Sequence, residues 1–308
     1  MRKYILKRIC YAILTVFLLL LITFFMMHML PGNPFVGDKN VSDATVRALE
    51  IRYGLDKPII EQFFIYCRNA LQGDLGTSLQ NGRPVSKIIM ESFHYSADLG
   101  IRSLIFAIAA GVSLGSVAAV KRGKTVDTFA MTIAVIGVSV PSFIIATLLQ
   151  YFFGLKLGLF AISGWKSESA KVLPALALSL GSIAQISRLM RTSMLDVLGS
   201  DYIKTAKAKG LSQRLIIMRH SVRNAIMPVI TVLGPIAAAI LTGAFVVEKV
   251  FNIPGMGKFF VTAIQSNDYP LIAGTTLFYG TFLVFATLLV DIAYGFIDPR
   301  VKISGDKE

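Results

Sequence analysis

Between Ile9 and Leu30 lie 22 residues without a formal charge. As a helix rising about 1.5 Å per residue they reach roughly 33 Å, enough to cross a hydrocarbon core about 30 Å thick. A chain holding such a run must bury it in lipid or in a large apolar core. Composition decides against the core: 54% of residues are apolar and only 16% are charged, where soluble domains carry about 25% charged side chains. Five further runs follow, at Leu99–Val120, Ala130–Phe153, Val172–Ser187, Ile226–Val247 and Leu271–Ile297. The fourth is short and carries Pro174, Gly181 and Gln185, which makes it the weakest of the set. Pro141, Pro228 and Pro235 also fall in apolar stretches, which a bundle tolerates when neighbouring helices satisfy the freed carbonyls. The pattern predicts an all-α integral membrane protein with six transmembrane helices.

Arg2, Lys3, Lys7 and Arg8 precede the first run like the basic region of a signal peptide. The apolar stretch is longer than the usual 7–15 residues and no small-x-small cleavage site follows it, so it reads as an uncleaved anchor. The net charge of +13 sorts by side. Segments 1–8, 121–129, 188–225 and 298–308 together carry +12, whereas 31–98, 154–171 and 248–270 carry +1. That asymmetry is the positive-inside signature, and it puts both termini in the cytoplasm of a multi-pass protein of the cell membrane. Nucleic acid is not needed to explain the charge.

Arg102 and Asp291 are the only formal charges within the spans, and both can lie near a helix end. Proton- or sodium-coupled carriers need ionisable or unwound sites near the midplane, which counts against a secondary transporter, the rival class. No ring of charges or repeated arginine suggests an ion channel. Gly123-Lys124-Thr125 resembles the end of a P-loop, but Ala118 stands where the upstream glycine is required and no strand precedes it. Gly255-Met256-Gly257-Lys258 lacks the following Ser or Thr. His28, His94 and His220 are far apart, without carboxylate or thiol partners at ligand spacing, and no metal site is expected. Cys10 and Cys67 fall in different compartments and predict no disulfide. Cys67 extends an apolar face through Ile60, Phe63, Phe64 and Leu71. Gly111-x-x-x-Gly115 permits close helix approach, either inside the bundle or at a dimer interface.

Two loops are long enough to have their own structure. In 31–98, the first run is followed by a helix capped at Ser42 or Asp43, running through Tyr53 and stopping at Gly54. Asp56 is placed to cap a second helix with Pro58 in its first turn, and Gly73-Asp74-Leu75-Gly76 is turn-rich. This predicts a small helical subdomain outside the membrane, which contacts an external partner or plugs the bundle. In 188–225, Asp201 to Lys209 reads as helix, Gly210 as its left-handed stop, Leu211 as the apolar residue behind it and Ser212 as the cap of a second helix running toward Arg223. Tyr202 and Ala206 share a face that ends at Gly210. Such a hairpin either docks in a groove on another protein or rests, basic and solvated, near anionic headgroups.

Lys204-Thr205-Ala206, with Gly210 and then His220, resembles the EAA loop of ABC-importer permeases, matching strictly at Ala206 and Gly210. The departures are those of the oligopeptide and dipeptide permeases of the OppB/DppB type, which this chain resembles almost end to end. The matching stretches are Leu30-Pro31-Gly32-Asn33-Pro34, Gly73-Asp74-Leu75-Gly76 with Pro84-Val85, and Val140-Pro141-Ser142-Phe143. They continue with Arg219-His220-Ser221-Val222-Arg223-Asn224, Val247-Glu248-Lys249-Val250-Phe251 with Pro254-Gly255-Met256-Gly257, and Asp298-Pro299-Arg300.

The resemblance implies the type I ABC-importer permease fold. Residues 1–30 would form the cytoplasmic start and first span, 31–98 the outer subdomain, 99–297 the five-helix core and 298–308 a cytoplasmic tail. It also implies a heterodimer with a second homologous permease, two ATP-binding cassette ATPases, an extracellular peptide-binding protein and contact with membrane lipid. No cofactor belongs to this chain; ATP and Mg are used by the ATPases. Asp201, Tyr202, Thr205, Ala206, Ala208, Gly210, Leu211 and His220 would form the ATPase-docking loop. Ser139, Gln150, Gln185, Thr242 and Glu248 are the polar candidates for the translocation path, Glu248 facing arriving peptide or pairing near Lys249. Nickel permeases share the family, so nickel or another solute is the alternative cargo.

Overall fold

The computed structural model describes residues 2–29, 47, 51, 56–242 and 244–297, with side chains from 8 to 29, at 47 and 51, and through 56–241 and 244–288. Apart from residues 47 and 51, the predicted helix ending at Tyr53 lies outside these residues, as do the stretch Leu30–Pro34 and the tail 298–308. Among the described residues every regular element is helical, and a single bridge pairs Thr77 with Pro84. In chain order the helices are α1 (Arg2–His28), α2 (Ile59–Leu71), α3 (Val85–Val120), α4 (Thr125–Ser139) and α5 (Ser142–Lys156). Then come α6 (Glu168–Gly199), α7 (Asp201–Ala208), α8 (Gln213–Ala225), α9 (Met227–Thr242), α10 (Phe245–Val250), α11 (Met256–Gln265) and α12 (Tyr269–Ile297). Four helices, α1, α3, α6 and α12, are each long and apolar enough to span a membrane, and the number rises to six if each of two bent pairs is one span.

The bends have local causes. Pro141 denies a backbone donor and drives Val140 into extended backbone (φ −95°, ψ 126°). The third expected span, Ala130–Phe153, is therefore broken, and α4 and α5 turn by 111° about the interruption. α9 lies within the fifth expected span, Ile226–Val247, and α8 meets it at 52° at the start of that span. The fourth departs most from expectation. It is a helix of 32 residues, and half of its apolar window is enclosed by the rest of the chain. A helix surrounded by protein need not be uniformly apolar. Buried Ser179 and Ser187 donate to the carbonyls of Leu176 and Ala184 at 2.9 and 3.1 Å. Ser167 caps this helix by accepting from the Ala170 N–H.

The contacts divide the chain into two compact units, residues 96–254 and residues 1–95 with 255–308. In the first unit α6 is the pillar. Gly111 and Gly115 of α3 meet it so closely that a Cβ at Gly115 would stand 2.5 Å from the Ser187 carbonyl oxygen. Gly137 of α4 lies almost as near the Leu180 carbonyl, whose oxygen is 2.9 Å from where its Cβ would be. The Gly-x-x-x-Gly pair thus packs inside the chain. Met190 and Met194 of α6 are buried with Ala225 of α8 and with Val229, Ile236 and Ile240 of α9.

In the second unit α1 packs along α12, and Phe24 of α1 contacts Phe63 and Tyr66 of α2. Most of α1 stays exposed, including Ile13, Phe17 and Ile22, the surface a helix keeps when lipid is its solvent. Pro58, not Asp56, holds the N-cap position of α2, without a side-chain cap bond. The expected face of α2 is split: Phe63 is buried and Cys67 half-buried, while Ile60, Phe64 and Leu71 point outward. Burial raises the thiol of Cys67 and the hydroxyl of Tyr66. Gly73 and Gly76 take the left-handed conformation, and the Asp74 carboxylate accepts the Gly76 N–H at 2.8 Å. Beyond this turn, Asp268 at the start of α12 is fully buried and receives the Ser78 hydroxyl and the N–H groups of Leu79, Gln80 and Leu271.

Candidate coupling hairpin and path residues

α7 follows α6 after a single residue, Ser200, whose extended backbone starts the new helix. Asp201 sits in the first turn, where a negative charge complements the helix dipole. Its ion pair with Lys204, at 2.8 Å, is exposed on both sides and adds little. At the other end Gly210 has φ +74°. Its N–H donates to the Lys207 carbonyl at 2.9 Å, and the Leu211 N–H reaches back to Ala206 at 3.3 Å. These two bonds form a Schellman stop, and Leu211 packs on the apolar residues of α7 as that motif favours. Ser212 then accepts the Leu215 N–H and caps α8.

The hairpin closes on its own small core of Ile203, Ala206 and Ile216, edged by Val197 and Leu211. Within α8, residues 216–222 widen into a π-helix, with the Ser221 hydroxyl bonded to the Ile216 carbonyl five residues back. Asn224 links the two arms, donating to the Tyr202 hydroxyl at 3.2 Å and to the His220 carbonyl at 2.8 Å.

This geometry sorts the residues singled out from the sequence. Asp201, Tyr202, Thr205, Ala208 and Gly210 lie on the exposed side of the hairpin. Leu211 and His220 are half-buried. Ala206 is only 8% exposed and turns inward with Ile203, so it does not share the outer face with Tyr202. Helical spacing alone brackets both residues, and the Ile216 contact that pulls Ala206 inward comes from the other arm.

Of the five path candidates, Gln150 reaches α10, the helix that carries Glu248, through its bond to the Val250 carbonyl. Ser139 is exposed at the broken end of α4, and Gln185 is exposed on α6. The Gln150 amide is committed to the carbonyls of Ile162 and Val250, at 2.7 and 3.3 Å. Glu248 on α10 is fully buried within its unit. The side chain of Thr242 lies outside the described residues. Arg102, left isolated in a span by sequence, is paired with Asp98 and Glu168 at 2.7 and 2.8 Å.

Two further groups were not singled out from the sequence. Asn224 ends the Arg219–Asn224 stretch, where only the fold shows what it bonds. Asp127 in the first turn of α4 accepts both Arg191 Nε and a terminal guanidinium nitrogen, each at 2.7 Å, and also the Gly123 N–H at 3.0 Å. An acid at a helix start is ordinary, and its partner lies 64 residues away.

Gly210 gives the first test. Valine there would hold a β-branched residue at positive φ, at a cost of about 1–2 kcal/mol. We expect Gly210→Val to lower the apparent Tm in detergent and to open the hairpin to limited proteolysis. Unchanged melting and cleavage would show that the turn does not form.

Residues 111–303 match the sequence profile of the family described as binding-protein-dependent transport system inner membrane component, and residues 1–100 match the profile of its N-terminal part. The dipeptide transport system permease protein DppB of Bacillus subtilis (strain 168) is 45% identical over 98% of this chain and 99% of its own. The oligopeptide transport system permease protein OppB of Escherichia coli (strain K12) is 38% identical over 98% of this chain and all of its own. Among solved structures, an inward-facing MetNI methionine ABC transporter chain superposes with a TM-score of 0.52 at 15% identity, covering 68% of this chain and 94% of that one. A chain of an amino acid ABC transporter with histidines gives 0.51 at 14% identity, over 70% and 95%. These two likenesses show the fold.

Proposed function

Because the chain belongs to the family of binding-protein-dependent transport system inner membrane components, we propose that it is the permease of an ATP-driven importer of dipeptides or oligopeptides. It is a multi-pass inner-membrane subunit that has no ATPase site of its own and works with ATPase and substrate-binding partners. The observation that carries the peptide reading is the 45% identity to a dipeptide permease along nearly the whole length of both chains. In finer detail, we place both termini in the cytoplasm, a second homologous permease beside this one, two ATPases beneath the pair and a peptide-binding protein outside. ATP and Mg act in the ATPases, and this chain needs no cofactor.

The mechanism is alternating access. Closure of the ATPases moves α7, α6 follows because Ser200 alone separates them, and the path opens outward to receive peptide. Reopening turns it inward. Each step is a shift between two states that the partners bind unequally. The docking surface on this chain is the exposed side of α7, with Tyr202, Thr205 and Ala208. Ala206 and Leu211 serve it by seating the helix on α8.

The test follows from that division. Ala208→Trp adds bulk outside without touching the hairpin core, and exposed substitutions of this kind cost within about 0.5 kcal/mol. The variant is expected to reach the membrane at the normal level, to lose co-purifying ATPase subunits at least tenfold and to import no peptide. Normal ATPase recovery and peptide uptake would reject α7 as the docking element.

A further inference from the structure

We infer that the Asp127–Arg191 pair is the link through which movement of α7 reaches α4, so that both residues are positioning residues for transport. The inference rests on the permease reading and on three features of one stretch of α6. Residues 187–191 precede α7 by only about three to four turns. At this level Gly115 of α3 lies so close to the Ser187 carbonyl and the Arg191 N–H that a Cβ there would stand only 2.5 and 3.1 Å from them. Met190 is buried beside Ala225 and Val229, which lie on α8 and α9. The guanidinium of Arg191 then reaches across to α4 and grips both oxygens of Asp127.

Three of the contacts at this level are apolar or steric, and such surfaces can slide. The fourth cannot slide without breaking, because a two-pronged guanidinium–carboxylate pair fixes direction as well as distance. Asp127 is 7% exposed in its side chain and Arg191 26%, so water competes weakly for the carboxylate. The Gly123 N–H holds the same carboxylate from the turn before α4. A displacement of the α6 end is thereby passed to α4 and to the break at Pro141 beyond it, where α4 and α5 turn by 111°.

The test uses the assembled complex in proteoliposomes, reading peptide uptake and ATP hydrolysis in the same sample. Asp127→Asn keeps the size and removes the charge that fixes Arg191. Expected is a complex that retains its ATPases and hydrolyses ATP, with peptide imported per ATP lowered about tenfold. The exchange Asp127→Arg with Arg191→Asp is expected to recover uptake per ATP to within about threefold of the original. The inference is overturned if Asp127→Asn imports at the original ratio, if it fails to assemble with ATPases that the unaltered chain retains, or if the exchanged pair assembles without recovery. Failure of the unaltered chain to hold ATPases would instead reject the permease reading itself.

Discussion

Gly115→Leu is expected to remove nearly all of the protein from the membrane fraction. The would-be Cβ stands 2.5 Å from the Ser187 carbonyl oxygen, 2.7 Å from the Met190 Cβ and 3.1 Å from the Arg191 N. Two of these three neighbours are backbone of the pillar helix, so no rotamer change makes room. Helices α3 and α6 must separate over the length of the contact, which also uncouples Gly111 from Ile186. Overpacking a tight interior costs 1–3 kcal/mol when side chains can yield, and the backbone clash puts this case at about 4 kcal/mol or more. Gly199→Ala is the control. Gly199 closes the same helix with nothing within 4 Å of its missing Cβ, and a small gain of helix propensity is expected there. The measurement is membrane yield together with the apparent Tm in detergent. A Gly115→Leu protein that accumulates and melts like the original would contradict the close approach.

The same contact shows what the sequence could and could not tell. Gly111-x-x-x-Gly115 says that another helix comes near, and it leaves open whose helix that is. The answer required α6, which apolarity ranked lowest because Pro174, Gly181 and Gln185 dilute it. Hydropathy measures fitness for lipid, and the helix enclosed by protein is the one least subject to that requirement. The hairpin was more legible, because Gly210, Leu211 and Ser212 each state a local rule of helix ends and all three hold. Ala206 was misplaced, since its inward turn depends on Ile216 across the hairpin. Pro141 within an apolar run is compatible with one tolerated span, so neither the break there nor its angle follows from the sequence. A proline removes a bond locally, while the direction taken afterwards is set by what the segment packs against. Asp127 with Arg191 and Asp268 with Ser78 lie furthest from sequence reasoning, at separations of 64 and 190 residues.

Asp268→Ala should have the second large effect, in the unit formed by residues 1–95 and 255–308. The carboxylate is fully buried, and one oxygen or the other accepts from the Ser78 hydroxyl and from the N–H groups of Leu79, Gln80 and Leu271. Alanine leaves the buried Ser78 hydroxyl and Leu271 N–H without this acceptor, and the N–H groups of Leu79 and Gln80 lose it at a partly open edge. Each unsatisfied buried donor costs about 1–3 kcal/mol, and partial rehydration of the vacated space offsets some of the sum, giving about 3–5 kcal/mol for the site. Asp268→Asn separates charge from connectivity. Its single carbonyl oxygen can keep part of the donor set, while its amide brings two hydrogens to a site already rich in donors. Asparagine is therefore expected to fall between aspartate and alanine. The turn from Ser78 to Asn81 should loosen first, because the Asn81 N–H depends on the Ser78 hydroxyl that Asp268 holds in place. Limited proteolysis should cut the alanine variant near residues 78–83 while α6 stays protected. Resistance equal to the original protein, together with an unchanged Tm, would mean that the carboxylate does not anchor this turn.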